Sequence, residues 1–92
     1  MPLLNDEQVT AALEDSAWAR EGDALAREWR FADFAAASAF VERVAEGAEA
    51  ANHHPEILVH GWNKVRLTLS THSAGGISAA DLALAQRLDT VG

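Results

Sequence analysis

Apolar residues along this chain recur in two rhythms, one of three and four residues and one of two, and the switches between them divide the sequence into seven elements. Val9, Ala12 and Leu13 keep the helical rhythm behind Asn5, whose side chain suits capping of free amides while Gln8 reaches back and Leu4 staples against Val9. A first helix is therefore predicted to run to about position 14. Trp18 begins a short extended segment ending at Gly22-Asp23, a pair suited to a type II′ turn because Gly accepts positive φ at the first central position. In the strand that follows, Leu25, Arg27, Trp29 and Phe31 share one face and Ala26, Glu28 and Arg30 the other, with Arg27 interrupting the alternation.

Asp33 caps a long helix that reaches about position 52, with Phe34, Ala37, Val41, Val44, Ala45 and Ala48 as its apolar stripe. Small residues at Ala35, Ala36, Ala37 and Ala39 allow a neighbour to approach closely. The helix must stop near His53, because Pro55 disfavours helical geometry at His54 and has no amide of its own. Two strands follow over 56–60 and 64–71, joined near Gly61-Trp62-Asn63; in the second, Val65, Leu67, Leu69 and Thr71 face one way. Gly75-Gly76 breaks the chain before a closing helix with Ser78 as cap, Asp81 at its third position, an Ile77/Leu82 staple, and Leu82, Leu84, Ala85 and Leu88 directed to the core. The expected fold is α+β: a two-layer sandwich of a four-stranded antiparallel sheet with three helices on one face, in the order αββαββα.

A chain of 92 residues holds one domain, 1–92, with a modest core, and small cores benefit from burial against a partner, so a homo-oligomer is expected. The net charge of -7 repels phosphate backbones and excludes a nucleic-acid or anionic-membrane footprint. No apolar run approaches the roughly 20 residues that span a bilayer. Absence of cysteine rules out disulfides and thiolate metal sites, and the start Met1-Pro2-Leu3-Leu4-Asn5-Asp6 lacks a secretion signal, so a cytoplasmic location is expected. Six of the seven basic residues are Arg and Ala is abundant, which points to a GC-rich bacterial genome.

Chemistry concentrates in one third of the chain. Glu49, His53, His54, His72 and Asp81 bring together the side chain that gives and takes protons near neutral pH and two carboxylates able to orient it. With Pro55, Trp62, Ser70 and Thr71, this spacing closely resembles the signature of pterin-4a-carbinolamine dehydratases. Asn52 before the histidine pair, Glu56 after the proline, Asn63-Lys64-Val65, Leu69-Ser70-Thr71-His72, Ile77-Ser78 and Asp81-Leu82 extend the likeness, and Trp18 and Phe31-Ala32-Asp33-Phe34 carry it upstream. The resemblance implies a small α+β lyase that removes water from 4a-hydroxytetrahydropterin to give quinonoid dihydropterin, without metal or organic cofactor, for reuse by an aromatic amino acid hydroxylase. It implies dimers or tetramers, with His53, His54 and His72 as catalytic residues and Glu49 and Asp81 as their acidic support. Pro55, Trp62, Ser70 and Thr71 are the expected substrate-binding residues. His54 is expected to act as general acid, His72 as base and His53 to orient the pterin.

Ile57 stands where the family often has an aromatic residue, and the stretch 56–61 is one residue longer than in animal members, enough for a bulge or a longer turn. Other readings stay open from the residues alone. Asp81 is either a helix cap or an orienter of His72. Glu49 meets His53 by the i, i+4 rule or belongs to a solvated surface pair. Trp18 and Trp62 pack on a heterocycle or fill the core, and His60, which matches nothing in the motif, serves the surface or packing. Adjacent histidines rarely converge on one zinc ion, so a metal site is not expected. The alternative function is a non-catalytic interaction or assembly module on the same fold, a dimerisation or regulatory partner.

Overall fold

The computed structural model describes residues 2–91; Met1 and Gly92, the ends of the expected 1–92 domain, lie outside the described residues. Its elements are α1 (Asp6–Leu13), β1 (Ala19–Glu21), β2 (Ala24–Arg30), α2 (Phe34–Ala51), β3 (Glu56–His60), β4 (Lys64–Leu69) and α3 (Ala79–Asp89), in the order αββαββα. The strands form one antiparallel sheet in the order β1-β2-β4-β3, so β4 is central and β3 lies at an edge.

Local chemistry sets the boundaries. Asn5 accepts from the Gln8 amide at 2.8 Å while its own amide donates to Gln8 Oε1 at 2.9 Å, the reciprocal box that satisfies two free donors of α1. Gly22 takes φ +60 between the paired residues Glu21 and Ala24, as the two-residue hairpin requires. Asp33 Oδ1 accepts from the Ala36 amide at 2.8 Å and opens α2. The longer 56–61 stretch makes no bulge, because β3 and β4 pair without interruption from Glu56↔Thr68 to His60↔Lys64. Its length goes into the turn at 61–63, where Gly61 and Trp62 both have positive φ and buried Asn63 donates from Nδ2 to the Phe31 carbonyl at 3.0 Å.

The core forms where the helices meet one sheet face: Leu25, Val65, Leu67 and Leu69 below, Val9, Ala37, Phe40, Val44, Leu84 and Leu88 above. Each large apolar side chain removed from water there contributes about 1.5–3 kcal/mol. The stripe of α2 differs from the expected one. Phe34 and Ala45 are exposed, and the buried line runs Ala37, Phe40, Val44, Gly47, Ala48. The cause is α3, against which α2 packs: a Cβ at Gly47 would stand 3.6 Å from Leu88 Cδ2, so the buried arc turns toward that neighbour. Ala35 and Ala39 are likewise exposed, as is Ala12 in α1, leaving Ala37 as the buried member of the small-residue run.

Arg27 interrupts the apolar face of β2 because it is neutralised in place. Its guanidinium lies 4.3 Å from the Trp29 ring centroid and donates to Asp89 Oδ1 at 2.5 Å. Trp18 Nε1 donates to the same carboxylate oxygen at 2.7 Å and its ring meets Trp29 edge-on, so Trp18 is a core residue tied to the end of α3.

Candidate active site

Sheet register brings the site together. β3 and β4 pair so that each residue and its partner sum to the same number, Glu56 with Thr68 and His60 with Lys64. Carried back beyond Glu56, that register sets His54 beside Ser70 and His53 beside Thr71. The segment 52–54 is delivered there by the end of α2, where Asn52 adopts φ 50, ψ 42 and the His53 amide donates back to the Ala48 carbonyl at 3.1 Å. Asn tolerates this left-handed position better than most residues, and Pro55 prevents the helix from continuing. On the other side, Thr71 pairs with Gly76 and the intervening turn holds His72 and Ser73 outward.

These segments enclose an open cleft of about 250 Å³ lined by Asn52, His53, His54, Ser70, Thr71, His72 and Ser73. All three expected catalytic histidines, and Ser70 and Thr71, therefore share one cavity. Pro55 and Trp62 do not line it. Pro55 acts on the path of the chain, and Trp62 is 62% exposed in the turn at the far end of β4, a six-residue strand roughly 20 Å long. Asn52 and Ser73 line the cleft and were not among the expected site residues; the taste of Asn for left-handed helix ends was the available signal for Asn52.

Asp81 is the buried anchor of the site, with 0% exposure at the start of α3. Its Oδ2 accepts from Thr71 Oγ1 at 2.8 Å and from the Ser78 amide at 2.8 Å; Ser78 Oγ stands 2.7 Å from Thr71 Oγ1. Its Oδ1 meets His53 Nε2 at 2.5 Å, with the His53 side chain 18% exposed. Asp81 is thus both cap and orienter, but the ring it orients is that of His53 rather than His72. Thr71 is buried, and its hydroxyl points to Asp81. Ser78, expected only as a cap, belongs to the same network.

Glu49 reaches His54 instead of His53, with Oε2 3.5 Å from Nε2 in an exposed pair. The α2 C-terminus explains the change: once the chain leaves helical geometry at Asn52, the i, i+4 relation to His53 no longer holds. His72 is exposed in the turn and makes no side-chain hydrogen bond among the described residues. His60 sits on the outer sheet face, 2.5 Å from Glu28 Oε1, outside the cleft. Among the described residues no group of three or more His, Asp or Glu side chains is arranged to hold a metal ion, and no helix is long and apolar enough to cross a membrane.

The family model for pterin 4 alpha carbinolamine dehydratase matches residues 2–91. A Nocardia farcinica relative, provisionally named a pterin-4-alpha-carbinolamine dehydratase, is 50% identical over 88 residues, covering 95% of this chain and 92% of its own. One of the same provisional name from Thermomicrobium roseum is 48% identical over 89 residues, 96% of this chain and 95% of its own. A crystal structure described as a transcriptional coactivator/pterin dehydratase from Brucella melitensis superposes with a TM-score of 0.90 at 30% identity, covering 98% of both chains. A pterin dehydratase-like protein identified as a RuBisCO assembly factor in the alpha-carboxysome gives 0.69 at 27% identity, over 82% of this chain and 88% of that one.

Proposed function

The chain belongs to the pterin 4 alpha carbinolamine dehydratase family, and on that premise we propose that it dehydrates 4a-hydroxytetrahydropterin to quinonoid dihydropterin and water by histidine acid/base catalysis. The reaction needs one proton delivered and one removed. The C4a hydroxyl leaves as water when an acid protonates it, taking the C–O electron pair with it; the N5–H proton departs to a base, and its electron pair becomes the C4a–N5 double bond. Positioned imidazoles supply both functions at neutral pH, each worth roughly 10²–10⁴-fold.

The observation that carries the reading is the contact between His53 Nε2 and the buried Asp81 carboxylate beside two further imidazoles in one cleft. The carboxylate accepts a hydrogen bond from Nε2–H, which leaves Nδ1 carrying the lone pair of the neutral His53 ring. We therefore assign the base to His53, where the sequence alone had suggested His72, since only this imidazole of the three is backed by a buried carboxylate. His54 serves as the acid, and His72 orients and polarises the pterin. The scheme uses side chains of this protein alone, and its product is reusable by an aromatic amino acid hydroxylase in the cytoplasm. Turnover above the spontaneous dehydration rate, falling about 10²-fold in His53→Ala, is the expected result. Wild-type protein no faster than the spontaneous reaction sinks the proposal.

A second reading, a non-catalytic assembly module, is favoured by the likeness to the RuBisCO assembly factor and by the exposed apolar edge strand β3. That reading requires no acceleration in the same assay.

A further inference from the structure

We propose that Leu3 is a positioning residue of the catalytic site: the N-terminal segment docks on residues 76–78 and, through Ser78, sets the Asp81 carboxylate that holds His53. The catalytic consequence rests on the dehydratase reading, whereas the placement of His53 can be read without it.

Residues 76–78 lie between two neighbours. On one edge the Thr71 amide donates to the Gly76 carbonyl at 2.7 Å, and on the other the Leu4 amide donates to the Ile77 carbonyl at 2.9 Å. Successive carbonyls of extended backbone point to opposite edges, so both contacts are made at once. Leu3 faces Ser78 in an antiparallel bridge. In that pairing the hydrogen bond runs from Leu4 to Ile77, and the Ser78 amide stays with Asp81 Oδ2, at 2.8 Å.

Side chains fix the docking. A Cβ built on Gly76 would stand 3.3 Å from Leu3 Cδ2 and 3.5 Å from Cδ1, so Leu3 rests over the glycine with no room for a side chain beneath it. Leu3 is 48% exposed, while Leu4 packs on the core. What Leu3 touches is therefore the strand that ends in Ser78. Nothing braces that strand from the turn before it, since Gly75 has φ +77 and a Cβ there would meet nothing within 4 Å. Ser78 and Asp81 are fully buried, with Ser78 Oγ 2.7 Å from Thr71 Oγ1 and Asp81 Oδ1 2.5 Å from His53 Nε2. A shift of residues 76–78 displaces a donor that fixes the carboxylate, and the His53 ring follows.

The test compares full-length wild type with Leu3→Ala, Leu3→Met, Gly76→Ala and the double variant Leu3→Ala/Gly76→Ala, by imidazole nitrogen NMR spectra and by the dehydration assay. Wild-type His53 should show one tautomer, protonated at Nε2. In Leu3→Ala its resonances should move toward tautomer exchange, and kcat should fall about tenfold with KM unchanged, within the roughly 10²-fold cost of an ångström of misplacement. Leu3→Met, which refills the space, should restore both. Gly76 does not have positive φ, so Ala suits its backbone and acts by pressing on Leu3. Its effect should vanish in the double variant, where the Leu3 Cδ atoms are gone. A Gly76→Ala effect of equal size with and without Leu3 places its action in the cleft and overturns the proposal, as does an unchanged His53 spectrum in Leu3→Ala. Wild type that fails to accelerate dehydration removes the parent reading and the catalytic consequence with it, and the His53 spectra alone then decide the placement.

Discussion

Thr71 shows how one hydroxyl governs a site whose chemistry belongs to another residue. Asp81 is fully buried, and a buried carboxylate that loses a donor is left with an uncompensated demand. Thr71 Oγ1 meets that demand at Oδ2 and, with the Ser78 amide, fixes the carboxylate plane that presents Oδ1 to His53. Thr71→Val, close in shape but without the donor, should lower stability by about 1.5–3 kcal/mol and reduce kcat several-fold with little change in KM. Thr71→Ser should restore both. A raised KM with kcat intact would instead make Thr71 a substrate contact, as the sequence had suggested. At this scale the three imidazoles that line the cleft were legible because the chain has only four histidines, and their spacing matches a family. Which carboxylate holds which ring was not legible, since Asp81 and His53 lie 28 residues apart and meet only through the fold.

Elements were legible where local chemistry decides them. Caps at Asn5 and Asp33, the Gly22 hairpin and the proline stop are all contacts within a few residues. Strand order and register were not, because nothing within β4 says that β2 and β3 flank it, and the cleft is a consequence of that register. The face of α2 was missed for the same reason: two apolar arcs share Ala37, Val44 and Ala48, and α3 chooses between them. A further long-range tie on the outer sheet face gives a pH prediction. Arg66 of β4 donates a hydrogen bond to Glu21 of β1 across β2, and this bond, reinforced by the Arg66 charge, holds the Glu21 carboxyl below its ordinary 4.5. A depressed folded-state value means that the contribution is fully present above the unfolded value and is lost as pH falls through the folded one. Urea unfolding of wild type and Glu21→Gln should therefore show a constant small stability gap at neutral pH that closes below about 4.5. The pair is exposed, so about 1 M salt should narrow the gap. A gap that widens on acidification contradicts the assignment.

For the molecule as a whole, one edge of the sheet is unfinished. β3 has β4 on one side only, and its Ile57, Leu58 and Val59 are all exposed, Leu58 by 54%. Edge strands of soluble proteins are ordinarily blunted by charge, proline or a bulge; the middle of β3 has none of these. Ile57 and Val59 share the helix-side face of the sheet with their buried partners Leu67 and Val65, yet both stay more than a third exposed. A chain this short gains proportionally from burying such surface in a partner, and a second copy offers the same unpaired backbone in return. The β3 edge is therefore where the homo-oligomer expected from chain length is predicted to form. Leu58→Lys puts a charge at the centre of that edge without entering the core, so it should shift sedimentation toward the monomer while leaving the far-UV circular dichroism unchanged. Wild-type protein that sediments as a monomer at the same concentration would mean that β3 is left open for a different chain, as the assembly-module reading requires.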